Sequence, residues 1–337
     1  MRGKRIVSGL AFLVLGLVLA LAAVGPPAAQ QARKNLKVGT VGLESTYYAP
    51  IMVAMDKGFF QQEGFQLEFV KLSDPDLVRA VAAGSLPLGI PEVGSGITAR
   101  ERGGDVLVVA SFLDRYPYDL MVKQNIKSYQ DLKGKVLAHW QTSPSVGLEL
   151  LKRLLAQNGL KDGDYKVIGG GNATARYAAL VGGGIDGTIL TTPVNTMAKQ
   201  KGFPALGGLY DIPAVFAGVI ANGAWVKSNQ ADLVAWLRAV VRGFHYSADP
   251  KNRDEIVALL TKEFKAETPD AIVADMKQLY DEQKFILSWE LLPTEKSMQG
   301  VIEILSTIGQ VPTPLPPSSK YFALDPLKQA IADVKKK

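Results

Sequence analysis

Few residues in this chain are equipped for covalent chemistry. Its 337 residues include 0 Cys and 2 His. That excludes a thiolate nucleophile, a disulfide and a cysteine-based metal site. The histidines, His139 and His245, are too few and too far apart for a zinc centre. Gly94-Ser95-Gly96 lacks the spacer residues that set a nucleophilic serine on a strand-to-helix elbow. Gly169-Gly170-Gly171 lacks the lysine and hydroxyl of a phosphate loop. No spacing places a serine, a histidine and a carboxylate in a triad. The remaining side chains suit binding. Tyr47, Tyr48, Tyr116 and Trp140 can wall a pocket, while Ser45, Thr46, Thr142, Ser143, Ser145, Asn172, Thr191 and Thr192 offer hydrogen bonds. Glu44, Glu92 and Arg115 add charge. The expectation is a ligand site with no catalytic residue, no metal and no cofactor.

These residues fall in loops that follow strands and precede helices. Residues 37–70 read as strand, loop, helix, strand. Leu36, Val38 and Val41 form a short apolar run, and Gly42 ends it. A loop carrying Glu44 to Tyr48 follows. Pro50 suits the first turn of a helix, where its missing N–H costs nothing. Phe65, Leu67 and Phe69 then alternate with Gln66 and Glu68, the period of a strand. The same device recurs at Leu72 to Asp74, at Pro91, Glu92 and Val93, at Trp140 to Ser145, at Asn172, and at Thr191 to Pro193. Strand C-terminal ends beside helix N-termini are where open α/β folds hold ligands, and the free N–H groups there favour an anion or polar head group.

The chain exceeds what one compact core usually serves, so two lobes are expected. Residues 36–112 with 215–337 make the first, which ends in mostly helical sequence. Residues 113–214 make the second, as an insertion entered near Arg115. The fold class is α/β: two parallel-rich sheets with flanking helices, joined by two crossings. Residues 1–29 read as a secretory signal. Arg2, Lys4 and Arg5 precede the uncharged residues 6–24, and Gly25-Pro26-Pro27-Ala28-Ala29 supplies a break and small residues. An uncleaved anchor is the alternative. The whole chain carries +6; without those three basic residues, 35 basic stand against 32 acidic, about +3. No clustered basic stripe points to nucleic acid.

Most candidates also have a plain structural role. Tyr47 and Tyr48 can pack a sheet edge, and Trp140 can pack a core. Ser143 and Ser145 can cap a helix. Glu44 and Glu92 can hold a helix end or meet a ligand amine. Arg115 can pair with a ligand carboxylate or with an acidic neighbour at the crossing. His139 beside Trp140 can support that ring or lie on the surface. Asp186 orders its own turn, and His245 sits in an apolar helix face.

Taken together, several segments resemble a known family. Tyr48-Ala49-Pro50, Lys57-Gly58-Phe59-Phe60 with Glu63-Gly64, Ala80 to Gly84, Leu132 to Lys135 and Gly184-Ile185-Asp186-Gly187 are similar to periplasmic substrate-binding proteins of ABC importers. The group is the NMT1/THI5-like one that serves nitrate, sulfonates, taurine and thiamine precursors. The resemblance implies a type II periplasmic-binding-protein fold that closes on one small solute. It implies an exported monomer, in the periplasm or at the outer face of the cytoplasmic membrane, which delivers that solute to an ABC permease with a cytoplasmic ATPase. It places ligand contacts at residues 44–48, 91–95, 140–145 and 191–193. The family often has Gly-x-x-Asp after the first-lobe helix; here Pro87 holds the acidic position, so the loop after Ile90 is expected to differ. Thiamine-pyrimidine synthesis relatives use histidine-rich chemistry and a cysteine motif, which this composition opposes. A secreted enzyme on the same scaffold and a sensing domain for a membrane partner are the other classes considered. A LysR-type effector domain is opposed by the signal segment and the absence of DNA-binding helices.

Overall fold

The computed structural model describes residues 33–265, 269–283 and 286–336. The expected signal, residues 1–29, lies outside the described residues. Ten strands follow in chain order among those described: β1 (Lys34–Thr40), β2 (Phe65–Lys71), β3 (Leu88–Ile90), β4 (Val106–Ser111), β5 (Asp119–Val122), β6 (Val136–His139), β7 (Lys166–Gly169), β8 (Gly187–Leu190), β9 (Ala205–Gly208) and β10 (Gly218–Asn222). They form two five-stranded sheets, ordered β2-β1-β3-β10-β4 and β7-β6-β8-β5-β9. In the first, β1 is parallel to β2 and β3, and β10 runs antiparallel to β3 and β4. In the second, β6 is parallel to β7 and β8, and β5 runs antiparallel to β8 and β9. Each sheet thus has four co-directional strands and one reversed strand in the same place. Parallel neighbours require helical crossovers, which sets polar loops at one end of each sheet.

Helix–sheet contact is close where glycines permit it. Gly39 and Gly89 face each other in the β1–β3 register. Leu77, from the Asp74–Ala82 helix, fills the room above both: a methyl at Gly89 would lie 2.5 Å from Leu77 Cδ2. The long Gln230–Ala248 helix buries Leu233, Trp236, Leu237, Val240, Val241 and Phe244, the stripe expected from its 3.6-residue spacing. It packs on the Ala49–Asp56 helix.

Two helices reach both sheets. Glu295–Thr307 packs against Val93–Glu101 on the first side and Val146–Gln157 on the second. Asp270–Met276 touches the Thr46–Tyr48 turn and the Val194–Gln200 helix.

Three local features depart from simple pattern. After Met276 the chain leaves the α-helix and winds into a π-helix over Lys277–Glu282. The return strand β10 starts only at Gly218, because Phe216 and Ala217 bond instead with Val93 and Phe112. Finally, β9 had no alternating signal. Gly207 and Gly208 weaken strand propensity, and their missing side chains make room for Tyr129 and Tyr210.

Gly243 marks the tightest helix–helix approach, since a Cβ there would sit 2.2 Å from the Pro50 carbonyl oxygen. That oxygen belongs to backbone and cannot swing away. Gly243→Ala is expected to lower stability by about 1–3 kcal/mol, read as a lower denaturant midpoint at unchanged slope. An unchanged midpoint would show that the two helices are not pressed together there.

Candidate functional site

The strand-end loops of the two sheets meet. On the first side, the loop after β1 tightens into a 3-10 turn at Thr46–Tyr48, and Tyr48 leads into the Ala49–Asp56 helix with Pro50 in its first turn. Ser45, Thr46, Tyr47 and Tyr48 are all buried. On the second side, the loop after β8 brings Thr191 and Thr192. Thr46 Oγ1 and Thr192 Oγ1 are 2.8 Å apart, and Ser45 Oγ donates to the Thr192 carbonyl at 3.3 Å. Tyr280 OH donates to the Thr46 carbonyl at 3.2 Å. Thr191 Oγ1 is enclosed and has no partner among the described residues.

Aromatic rings continue the contact from the loops of one sheet to those of the other. Tyr48 and Tyr47 have centroids 4.4 Å apart, and Tyr47 meets Phe216 edge-on at 6.1 Å. Phe216 also contacts Tyr116 at 4.5 Å and Tyr118 at 5.6 Å. Tyr118 meets Trp140 at 5.3 Å, and Trp140 lies 3.8 Å from the His139 ring. The tilted and edge geometries are those favoured by ring quadrupoles. Phe216, Tyr116 and Tyr118 belong to the two segments that cross between the sheets. Trp140 presses close to Gly147, where any Cβ would come within 2.3 Å of the indole.

Two carboxylates lie by the rings on the first-sheet side. The Glu92 N–H donates to Asp74 Oδ1 at 2.9 Å, and Tyr116 OH donates to Glu92 Oε1. Burial lifts the Glu92 carboxyl to about 7; the nearby Asp74 charge adds to this, and the Tyr116 hydrogen bond opposes it. Asp74 is also raised, by burial, against the hydrogen bonds from Ser95 and the Glu92 backbone. Both side chains are only half-buried, so each keeps a surface among the rings open to a small molecule.

Across the rings stands a buried cation, Arg176, on the Ala173–Val181 helix. Its guanidinium bonds Thr188 Oγ1 at 3.2 Å, the Ile189 carbonyl at 3.1 Å and the Gly171 carbonyl. It also faces the Trp140 ring at 5.8 Å. It therefore ties the ends of β7 and β8 to the indole that follows β6. His139 is buried beside it. Its Nδ1–H donates to the Gln141 carbonyl at 2.7 Å, and its Nε2 has no partner among the described residues. Burial brings its pKa down to about 4, with the Arg176 charge adding and the Gln141 bond opposing.

Ser45, Thr46, Tyr47, Tyr48, Glu92, Trp140, Thr191 and Thr192 are brought into this region, and Pro91 and Val93 are buried supports of the Glu92 loop. Other expected contacts have local partners. Glu44 turns outward to Lys71 at 2.6 Å, a bond that lowers its pKa. Ser145 caps Leu148 and Asn172 caps Ala175. Thr142 and Ser143 are exposed. Arg115 donates to the Tyr210 carbonyl at 2.7 Å, at the crossing. Asp186 accepts from Lys123 and the Val136 N–H. The sequence reading did not single out Phe216, Tyr118, Asp74 or Arg176. Asp74 closed a polar loop and Tyr118 followed Tyr116, but Phe216 and Arg176 gave no local signal. Among the described residues no group of His, Asp and Glu is arranged to hold a metal, and no helix is long and apolar enough to cross a membrane.

A family model described as NMT1/THI5 like matches residues 45–253. A formylaminopyrimidine-binding protein of Halalkalibacterium halodurans is 24% identical over 277 residues, which covers 77% of this chain and 81% of that protein. A 4-amino-5-hydroxymethyl-2-methylpyrimidine phosphate synthase of Saccharomyces cerevisiae is 28% identical over 148 residues, and the match spans only 42% of that enzyme's length. Among solved structures, the periplasmic nitrate-binding protein of Synechocystis PCC 6803 aligns with TM-score 0.70 at 16% identity, covering 90% of each chain. The periplasmic aliphatic sulphonate binding protein of Escherichia coli aligns with TM-score 0.67 at 21% identity, covering 86% of this chain and 92% of that one. The fold is thus the periplasmic-binding-protein fold, as the sequence reading expected.

The acid at the centre of the rings gives a direct test. A Glu92 carboxyl raised from 4.5 to about 7 should titrate near neutrality by carboxyl NMR. Tyr116→Phe removes the one bond that favours the charged form, so the midpoint should move higher still. Because the folded-state pKa is raised, this group's contribution to stability is full below about 4.5 and falls as pH rises through about 7. A midpoint near 4.5 would place Glu92 in water rather than among the rings.

Proposed function

Because the chain belongs to the NMT1/THI5-like family, we propose that it is an extracytoplasmic solute-binding protein. Residues 36–112 with 215–337 form one lobe and residues 113–214 the other. A small organic ring is gripped between them and passed to an ABC permease with a cytoplasmic ATPase. The protein is exported and acts as a monomer.

The observation that carries this reading is the run of rings from Tyr48 through Phe216 and Tyr118 to Trp140. It joins the strand ends of both sheets, so a flat solute set among these rings touches both lobes at once. A ligand that binds one lobe in the open form and both in the closed form shifts the population toward closure.

The polar groups shape the choice of solute. Glu92 and Asp74 accept hydrogen bonds, and when ionised they repel a bare anion. A nitrogen ring bearing N–H donors suits them, stacked on rings and hydrogen-bonded at its edge. The formylaminopyrimidine named for the bacterial relative is of this kind. An anionic solute, which the helix N-termini alone favoured, fits this acid pair poorly. The relatives named as synthases raise a catalytic reading. In this chain the available histidines are His139, enclosed under Trp140, and His245, whose Nε2 is 3.4 Å from Glu290. We therefore infer capture without turnover.

Titration with formylaminopyrimidine, an aliphatic sulphonate and nitrate tests the reading. Formylaminopyrimidine should raise the melting temperature dose-dependently, reduce the radius of gyration, and be recovered unchanged. Trp140→Ala should weaken its binding at least about tenfold, roughly 1.4 kcal/mol. Turnover of the pyrimidine, or tight binding of nitrate or sulphonate alone, would overturn this assignment.

A further inference from the structure

Helix Asp270–Met276 carries an acid that the ring-lined site does not use. Asp275 is fully buried. Its Oδ1 accepts from Thr196 Oγ1 on the Val194–Gln200 helix of the other lobe. Its Oδ2 has no partner among the described residues.

The surrounding charges are committed elsewhere. Lys199, one turn of helix from Thr196, pairs with the buried Asp119 at 2.7 Å. Asn195 Nδ2 donates to that same Asp119 oxygen at 2.9 Å, and Gln278 Nε2 reaches it at 3.5 Å. From the Arg253–Glu263 helix, Arg253 bonds the Met276 carbonyl at 3.3 Å and pairs with Asp281 at 3.2 Å. The Thr46–Tyr48 turn brings rings and hydroxyls and no charge. Asp275 is left with one hydroxyl donor and one bare oxygen inside a contact between lobes. An unpaired buried carboxylate is costly, and the neutral acid is the cheaper form. Burial accordingly raises its pKa from 3.8 to about 7, against the Thr196 bond and the Lys199 charge.

We propose that Asp275 is a positioning residue for solute capture: a latch on which closure of the two lobes takes up a proton. The proposal rests on the two-lobe binding reading above. Parting the Val194–Gln200 and Asp270–Met276 helices returns the carboxyl to water and to its ordinary acidity. Closure is therefore favoured in acid, where the group is protonated in both forms. It weakens as pH climbs from about 4 toward about 7, by up to about tenfold per unit. Solute would be held more tightly in acid surroundings than in neutral ones.

The absence of native cysteine makes the test clean. Spin labels are placed on M55C and V181C, at exposed positions on opposite lobes, in the full chain without ligand. Distance distributions are then recorded at about pH 5 and about pH 8, on either side of the transition. With Asp275 present, a short-distance population should dominate in acid, and a longer one should grow at least about tenfold by the higher pH. Asp275→Asn should keep the short distance at both. Thr196→Val removes the latch hydroxyl and should enlarge the long population even in acid. Glu92→Gln, which removes a second acid that burial raises to about 7, should retain the pH response. A pH response that survives in Asp275→Asn, or that Glu92→Gln abolishes, overturns the latch and leaves the binding reading standing. A single distance in every ligand-free variant at every pH also overturns the latch, while the binding reading stands or falls on the formylaminopyrimidine titration.

Discussion

The constraint on which this structure depends is directional. Both sheets are laid out alike, with four strands pointing one way and the reversed strand in the same place. Parallel pairing sends the chain back through helices, so each sheet gathers its polar loops at one end. The two crossings then hold those ends against each other. Phe216 in one crossing and Tyr116 and Tyr118 in the other make the seam aromatic. Without that opposition, the tyrosines of the first loop and the indole of the second would be unrelated surface features.

Placing carboxylates in such a seam has consequences. Rings exclude water without supplying strong donors, so Glu92 keeps a proton far above the usual carboxylate range and leans on Tyr116. The same exclusion keeps His139 neutral. The cation in the region, Arg176, is bound to carbonyls and a hydroxyl rather than to an acid. The first-sheet side of the seam thus carries acceptors, and the second-sheet side carries a ring backed by a guanidinium.

Much of this was legible in the sequence, because strand–loop–helix units announce themselves through period and punctuation. Leu36 and Val38, and Phe65 to Phe69, behave as their spacing says. The hydroxyls and rings around Tyr47 and Trp140 were visible as residue types. What sequence order conceals is which partner arrives from elsewhere. Glu44 looked available, yet Lys71 stands beside it because Thr40 and Lys71 are paired in the β1–β2 register. Asn172 and Ser145 looked like ligand groups and serve helix ends. Phe216 and Arg176 were missed because an apolar residue at a crossing and an arginine in a small-residue helix carry no local mark. Their roles come from contacts made across the fold.

The central claim is that the loop after β1 and the loop after β8 face each other across one gap. The double variant T46C/T192C tests it most directly, since the native hydroxyl oxygens are 2.8 Å apart and the chain has 0 Cys of its own. Disulfide formation requires Cα atoms within about 7 Å. Mild oxidation should form the cross-link within a single chain nearly completely, and the reduced radius of gyration should persist without ligand. Free thiols remaining under those conditions, in a folded protein, would contradict the account.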